Sequence, residues 1–150
     1  MEKSKELCRE YSYRALKRGN LNVALLPIKN DIKTEADIVN IEDDKKVLIG
    51  VKVLKNGTFS MTNKEYQTMR AYSKEENAEY LIHAYKLRGE ETISFDIYRY
   101  DSEKDKLIST LHGNKGCTII EKIIRDQDGL PRKIYECRET KVKKLLLTDE

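Results

Sequence analysis

Apolar residues recur along the chain with two periods. In residues 3–18, Leu7, Cys8, Tyr11, Ala15 and Leu16 return at three- and four-residue steps, and Gly19-Asn20 follows as a stop signal. The spacing predicts an amphipathic helix with those five side chains turned inward. Short apolar runs come next. Residues 22–28 (NVALLPI) read as a strand that Pro27 places at an edge or an end. Residues 36–42 (ADIVNIE) alternate in part, Asp43-Asp44-Lys45-Lys46 is a polar reversal, and residues 47–54 (VLIGVKVL) form a long second strand of the same hairpin. Asn56-Gly57 is a strong turn dipeptide. Thr62-Asn63-Lys64-Glu65 is a capping box ahead of a helix that turns Tyr66, Met69 and either Tyr72 or Ser73 inward. Residues 78–86 and 92–100, rich in Tyr and Ile, have strand character and are joined by a turn at Gly89.

Past residues 101–106 (DSEKDK), KLISTLH reads as a strand and Gly113 to Gly116 as a loop. Residues 118–124 admit two readings. Apolar side chains at 119, 120, 123 and 124 suit a helix capped by Thr118. Asp126-Gln127-Asp128-Gly129 is good turn chemistry, however, and the apolar run is short, which favours a hairpin completed by RKIYECR. The pattern therefore predicts an α/β domain, α-β-β-β-α-β-β over residues 1–100. Residues 101–150 are expected to form a β-rich extension, a hairpin packed on that core.

Composition narrows the function classes. The chain has 150 residues, 39% hydrophobic and 37% charged, enough for one core under a highly charged surface. Net charge is +3, spread evenly over the chain, so no segment is a basic tail. That balance permits a nucleic-acid partner without requiring one. Cys8, Cys117 and Cys137 are far apart and form no CxxC pair, and with two histidines a structural zinc site is not expected. Free thiols imply a reducing compartment, and MEKSKELCRE carries charges where a signal peptide needs an apolar stretch. No apolar run reaches the roughly 20 residues of a membrane span. A cytoplasmic protein with no membrane partner is the expectation. No Walker loop, GxGxxG, GxSxG or HExxH is present.

One residue resists the bland reading. Lys52 stands in the apolar run VLIGVKVL, where an ammonium is costly unless something pairs with it or a site uses it. Gly50, two residues earlier on the same face, removes a side chain from the strand centre. Asp37, at the start of the preceding strand, can share that face across a tight hairpin. The two either form a partly buried ion pair or line a cleft.

The layout of a helix with an acidic residue, then "EAD" (35–37), "GVKV" (50–53), a turn and a capped helix resembles the PD-(D/E)XK nuclease superfamily. More narrowly, residues 49–85 are similar to the restriction-enzyme-like domain at the C-terminus of NO VEIN-type proteins; the resemblance covers roughly residues 4–100. It implies a restriction-endonuclease-like core with a mixed sheet, α-β-β-β-α-β. It implies Asp37 as first metal ligand, Lys52 as catalytic lysine, and Glu10, or Glu6 one turn earlier, as a helix-borne acid. Mg²⁺ would be the cofactor of phosphodiester hydrolysis, because hard cations take oxygen ligands and polarise phosphate. The departure is Gly50, where the family pattern carries its second acid; Glu35 or Glu10 could substitute.

Two functions follow from the resemblance. One is a nucleic-acid-associated, Mg²⁺-dependent nuclease with a degenerate site; the other is an inactive nuclease-derived subunit that binds or assembles through protein contacts. DNA ranks ahead of RNA as partner, and pairing into a homodimer is a further implication. Lys55, Arg14, Lys17 and Arg18 are candidates for contacting the phosphate backbone. Further cations cluster in the C-terminal segment, among them Arg132, Lys133 and Arg138. Each cluster is interleaved with acids, so a solvated charged face is the competing reading.

Overall fold

Two faces of one strand organise the chain. The computed structural model describes residues 3–18, 23–25, 36–42, 45–75, 77–89 and 91–141. Among them the order is α1 (Lys3–Arg18), β1 (Val23–Leu25), β2 (Ile38–Glu42), β3 (Lys45–Val53), β4 (Thr58–Thr62), α2 (Asn63–Ser73), β5 (Ala78–Arg88), β6 (Glu91–Asp101), β7 (Lys106–Ser109), β8 (Lys115–Arg125) and β9 (Pro131–Lys141). β3 is the strand that contains Lys52. Its Val47, Ile49 and Val51 join Cys8 of α1, Ile38 and Tyr85 in one buried cluster. Its Leu48 points to the opposite face and joins Tyr66 and Met69 of α2, Phe59, Met61, Tyr80 and Ile82 in another. A strand covered on both faces needs an apolar side chain at nearly every position, which is how 47–54 reads.

The strands form one curled mixed sheet in the order β1-β2-β3-β5-β6-β7-β8-β9-β4. β3 and β5 are parallel, with Lys52 beside Ala84, and the remaining neighbours are antiparallel. β4 follows β3 directly through Asn56-Gly57, both at positive φ (54° and 75°), while Lys55 and Thr58 exchange backbone hydrogen bonds of 2.9 and 3.0 Å. This is the mirror-image turn that Asn-Gly favours. β4 nevertheless pairs with β9, at the far end of the sheet order, so the sheet must curl back on itself. Lys52 Nζ, donating to Ser60 O at 2.9 Å, spans the gap between β3 and β4.

Two sequence expectations change and one holds. β4 is a further strand before α2, because Phe59 and Met61 alternate inward with Ser60 outward, so the chain runs α-β-β-β-β-α. The hairpin reading of 118–137 holds, with β8 and β9 in register from Lys115↔Lys141 to Arg125↔Pro131. The buried face of α1 is Cys8, Arg9 and Ser12 with Leu16 partly covered, whereas Leu7 and Tyr11 are 42% and 58% exposed. Polar residues turn inward because partners wait for them. Ser12 Oγ lies 2.9 Å from His83 Nδ1 and 2.6 Å from Tyr85 Oη. No helix among the described residues is long and apolar enough to cross a membrane.

His83 is buried beside Ser12, with Phe95 edge-on at 5.3 Å, and burial pushes its imidazole down to about 4. Folded, it takes up a proton less readily than in the unfolded chain, where the ordinary value is 6.5. Its contribution is therefore complete above about pH 6.5 and is lost as pH falls towards 4, by roughly 3 kcal/mol. Urea unfolding at pH 7.5 and pH 4.5 is expected to show this loss in the wild type and a smaller one in His83→Gln.

Candidate nucleic-acid interface

The chain segment before β2 delivers Asp37, whose N–H donates to Ile49 O at 2.8 Å and so continues the β2–β3 ladder. Its carboxylate is occupied on both oxygens. Oδ1 accepts from Arg9 Nε at 2.8 Å, with Lys5 Nζ at 3.6 Å, and Oδ2 accepts from the Val51 N–H at 2.7 Å. Arg9 Nη1 also donates to Glu6 Oε1 at 2.9 Å. Arg9 is only 6% exposed, so its guanidinium is held inside the fold by Asp37 and Glu6.

Lys52 takes a different partner. Nζ donates to Glu65 Oε2 at 2.9 Å and Oε1 at 3.1 Å, besides Ser60 O. Glu65 closes the capping box in both directions: Thr62 N–H donates to its Oε1 at 2.8 Å, and its own N–H donates to Thr62 Oγ1 at 3.0 Å. Burial pushes the Glu65 carboxyl up, but the Lys52 charge, the Thr62 N–H and the Lys52 hydrogen bond together hold it below the ordinary carboxylate range. One carboxylate thus caps α2 and neutralises the strand lysine. The sequence reading assigned Glu65 to the cap alone; the signal available was an acid thirteen residues after a lysine that needed one.

Asp37 and Lys52 therefore do not pair with each other, because Arg9 and Glu65 satisfy them separately. Between them stands Lys5, which also touches a cleft of about 660 Å³. Lys52, Thr62, Asn63, Lys64 and Glu65 line this cleft together with Ile124, Arg132, Lys133 and Ile134 of the β8–β9 hairpin. Five of the ten lining residues are Lys or Arg and one is acidic, so the cleft carries a positive field. Lys133 has Glu121 at 3.8 Å, an exposed and weak pair.

The other expected residues lie elsewhere. Glu10 is exposed and has Arg14 at 3.8 Å, lining a shallow outer pocket with Leu7, Tyr11, Arg14 and Arg18. Lys17 sits 5.9 Å from the Tyr13 ring, and Lys55 occupies the β3–β4 turn. Glu35 lies outside the described residues. No group of three His, Cys, Asp or Glu side chains able to hold a metal occurs among the described residues. A divalent cation needs free carboxylate oxygens, yet those of Asp37 and Glu65 are taken by internal cations and N–H donors. Among the described residues, Asp37 and Glu65 as placed therefore leave no free carboxylate oxygen for Mg²⁺.

Gly50 has a steric reason. A Cβ built there would meet Tyr80 Oη at 3.1 Å and Ile82 Cδ1 at 3.4 Å, so the Tyr80 phenol closes on this position. Gly50→Ala is expected to cost about 1 kcal/mol and Gly50→Glu roughly 3 kcal/mol or more, by overpacking and by burying a charge. Denaturant midpoints check both values. Arg9→Met strands Asp37 without its buried partner and is expected to cost roughly 3 kcal/mol, whereas the double variant Arg9→Met/Asp37→Asn recovers part of that loss. A double-mutant cycle by urea unfolding measures the coupling.

No family model matches the chain, and no curated protein matches it by sequence. Among solved structures, the chain is similar to Hjc, a Holliday junction resolvase from the archaeal hyperthermophile Archaeoglobus fulgidus, with a TM-score of 0.51 and 10% identity over 89% of this chain and 83% of that one. At that identity the likeness is one of fold. The chain has a nuclease-like mixed α/β fold.

Proposed function

We propose that this chain is a nucleic-acid-binding module on a nuclease-like fold, and that it holds a phosphate backbone in the cationic cleft without cutting it. The observation that carries this reading is the cleft itself, where Lys5, Lys64, Arg132 and Lys133 converge from α1, α2 and β9. A polyanion exchanges its condensed counterions for such cations, and the released ions drive binding. The likeness to a Holliday junction resolvase makes DNA the first polymer to test. The engagement of Asp37 and Glu65 with Arg9 and Lys52, and the missing acid at Gly50, support binding without hydrolysis.

Anisotropy titrations of a labelled DNA duplex test the reading. With four phosphates neutralised, log Kobs against log[salt] is expected to have a slope of about −3.5, so affinity falls about 100-fold between 50 and 200 mM salt. Arg132→Ala and Lys64→Ala are each expected to flatten the slope by about 1. Cleavage in Mg²⁺ or Mn²⁺ that Lys52→Ala abolishes would overturn the non-hydrolytic part. Absence of binding to both DNA and RNA would replace the reading with assembly through protein contacts.

A further inference from the structure

The β8–β9 hairpin does two jobs. Its inner half packs Cys117, Tyr135 and Cys137 into the core, with Ile119 against them. From Glu121 outwards its residues are exposed, apart from the half-covered Asp126 and Ile134, and β8 stays paired with β9 over five residues there, roughly 16 Å of arm at the usual strand rise. The tip of this arm is braced. Asp126 Oδ1 accepts from the N–H groups of Asp128 and Leu130 at 2.9 Å each, Asp126 N–H donates to Leu130 O at 3.0 Å, and Arg125 Nη1 donates to Gly129 O at 2.7 Å. Gly129 supplies the positive φ of 78° that the turn needs.

On this braced tip stand Ile123 and Leu130, each 60% exposed, followed by Pro131 at the start of β9. Two large apolar side chains held exposed at a braced tip offer a contact surface to a partner. The chemistry beside them indicates which partner. Arg132 and Lys133 are the next residues along the chain, and both line the cationic cleft, so the apolar tip continues the surface argued above to hold a phosphate backbone. Side chains of the Leu, Ile and Pro type, carried beside cations, are the kind that enter between base steps and unstack them.

We infer that the β8–β9 arm is a wedge that inserts Leu130, supported by Ile123, between the bases of a duplex held in the cleft. Its preferred ligand is then a duplex with an unpaired or easily unstacked step, because that step costs least to open. This inference rests on the proposal that the cleft binds nucleic acid, and the test separates the two.

The probe is a DNA duplex carrying 2-aminopurine, whose fluorescence rises on unstacking, used fully paired and with a two-nucleotide bulge. The full chain is expected to raise the fluorescence and to bind the bulged duplex about tenfold more tightly than the paired one, the scale of one stacking contact. Leu130→Ser, at an exposed position, should abolish both the rise and the preference while retaining salt-sensitive binding; Leu130→Met should keep them. Salt-sensitive binding by the wild type with unchanged fluorescence and no bulge preference would overturn the wedge and leave the cleft. No binding to either duplex would overturn both. A chain that is dimeric by light scattering and becomes monomeric with Leu130→Ser, with no fluorescence response in either form, would assign the tip to a second copy of the chain instead.

Discussion

The ion pair between Lys52 and Glu65 holds three elements at one point. Lys52 leaves β3, accepts its counter-charge from the first turn of α2, and gives its remaining hydrogen bond to the β4 backbone at Ser60. Glu65 at the same time secures the N-terminus of α2 through Thr62. Neither group is free to leave, because each would strand the other with little access to water. The pair sets the position of β4 against β3 across the curl of the sheet, and with it the floor of the cleft.

A second ion pair explains the electrostatics of that cleft. Arg9 is spent inside the fold on Asp37 and Glu6, and Asp37 is spent on Arg9 and the β3 backbone. Asp37 is thereby neutralised from within, and Tyr80 Oη lies 3.1 Å from where a Cβ at Gly50 would stand. Of the charged residues that line the cleft, five are lysine or arginine and one is acidic.

The far wall depends on long-range closure. β4 meets β9, paired from Thr58↔Arg138 to Thr62↔Ile134, and Tyr66 of α2 stacks on Tyr135 of β9 with ring centroids 3.8 Å apart. Tyr66 and Tyr100 both donate to Asp105, tying α2 to the β6–β7 turn. Burial and the Asp105 carboxylate push the Tyr66 phenol up to about 12, so it remains a neutral donor. The hairpin that carries the arm is thus joined to the helix that carries Glu65 through a packed aromatic pair.

Local chemistry was legible in the sequence wherever the partner lay within a few residues. The Thr62–Glu65 box, the Asn56-Gly57 turn and the turn at 126–129 are each decided by side chains that bond their own neighbourhood. Lys52 announced itself by its cost in an apolar strand. The inward face of α1 did not, since a helix read by its apolar spacing must turn Leu7 and Tyr11 inward, and it is Arg9 and Ser12 that go in. Their partners, Asp37, His83 and Tyr85, are supplied by strands brought near only by folding. The second role of Glu65, the return of β4 to β9 and the gathering of Lys5 and Arg132 at one cleft were decided at the same level. A buried charge says in sequence that it must have a partner; only the folded chain, by the distances it closes, chooses which one.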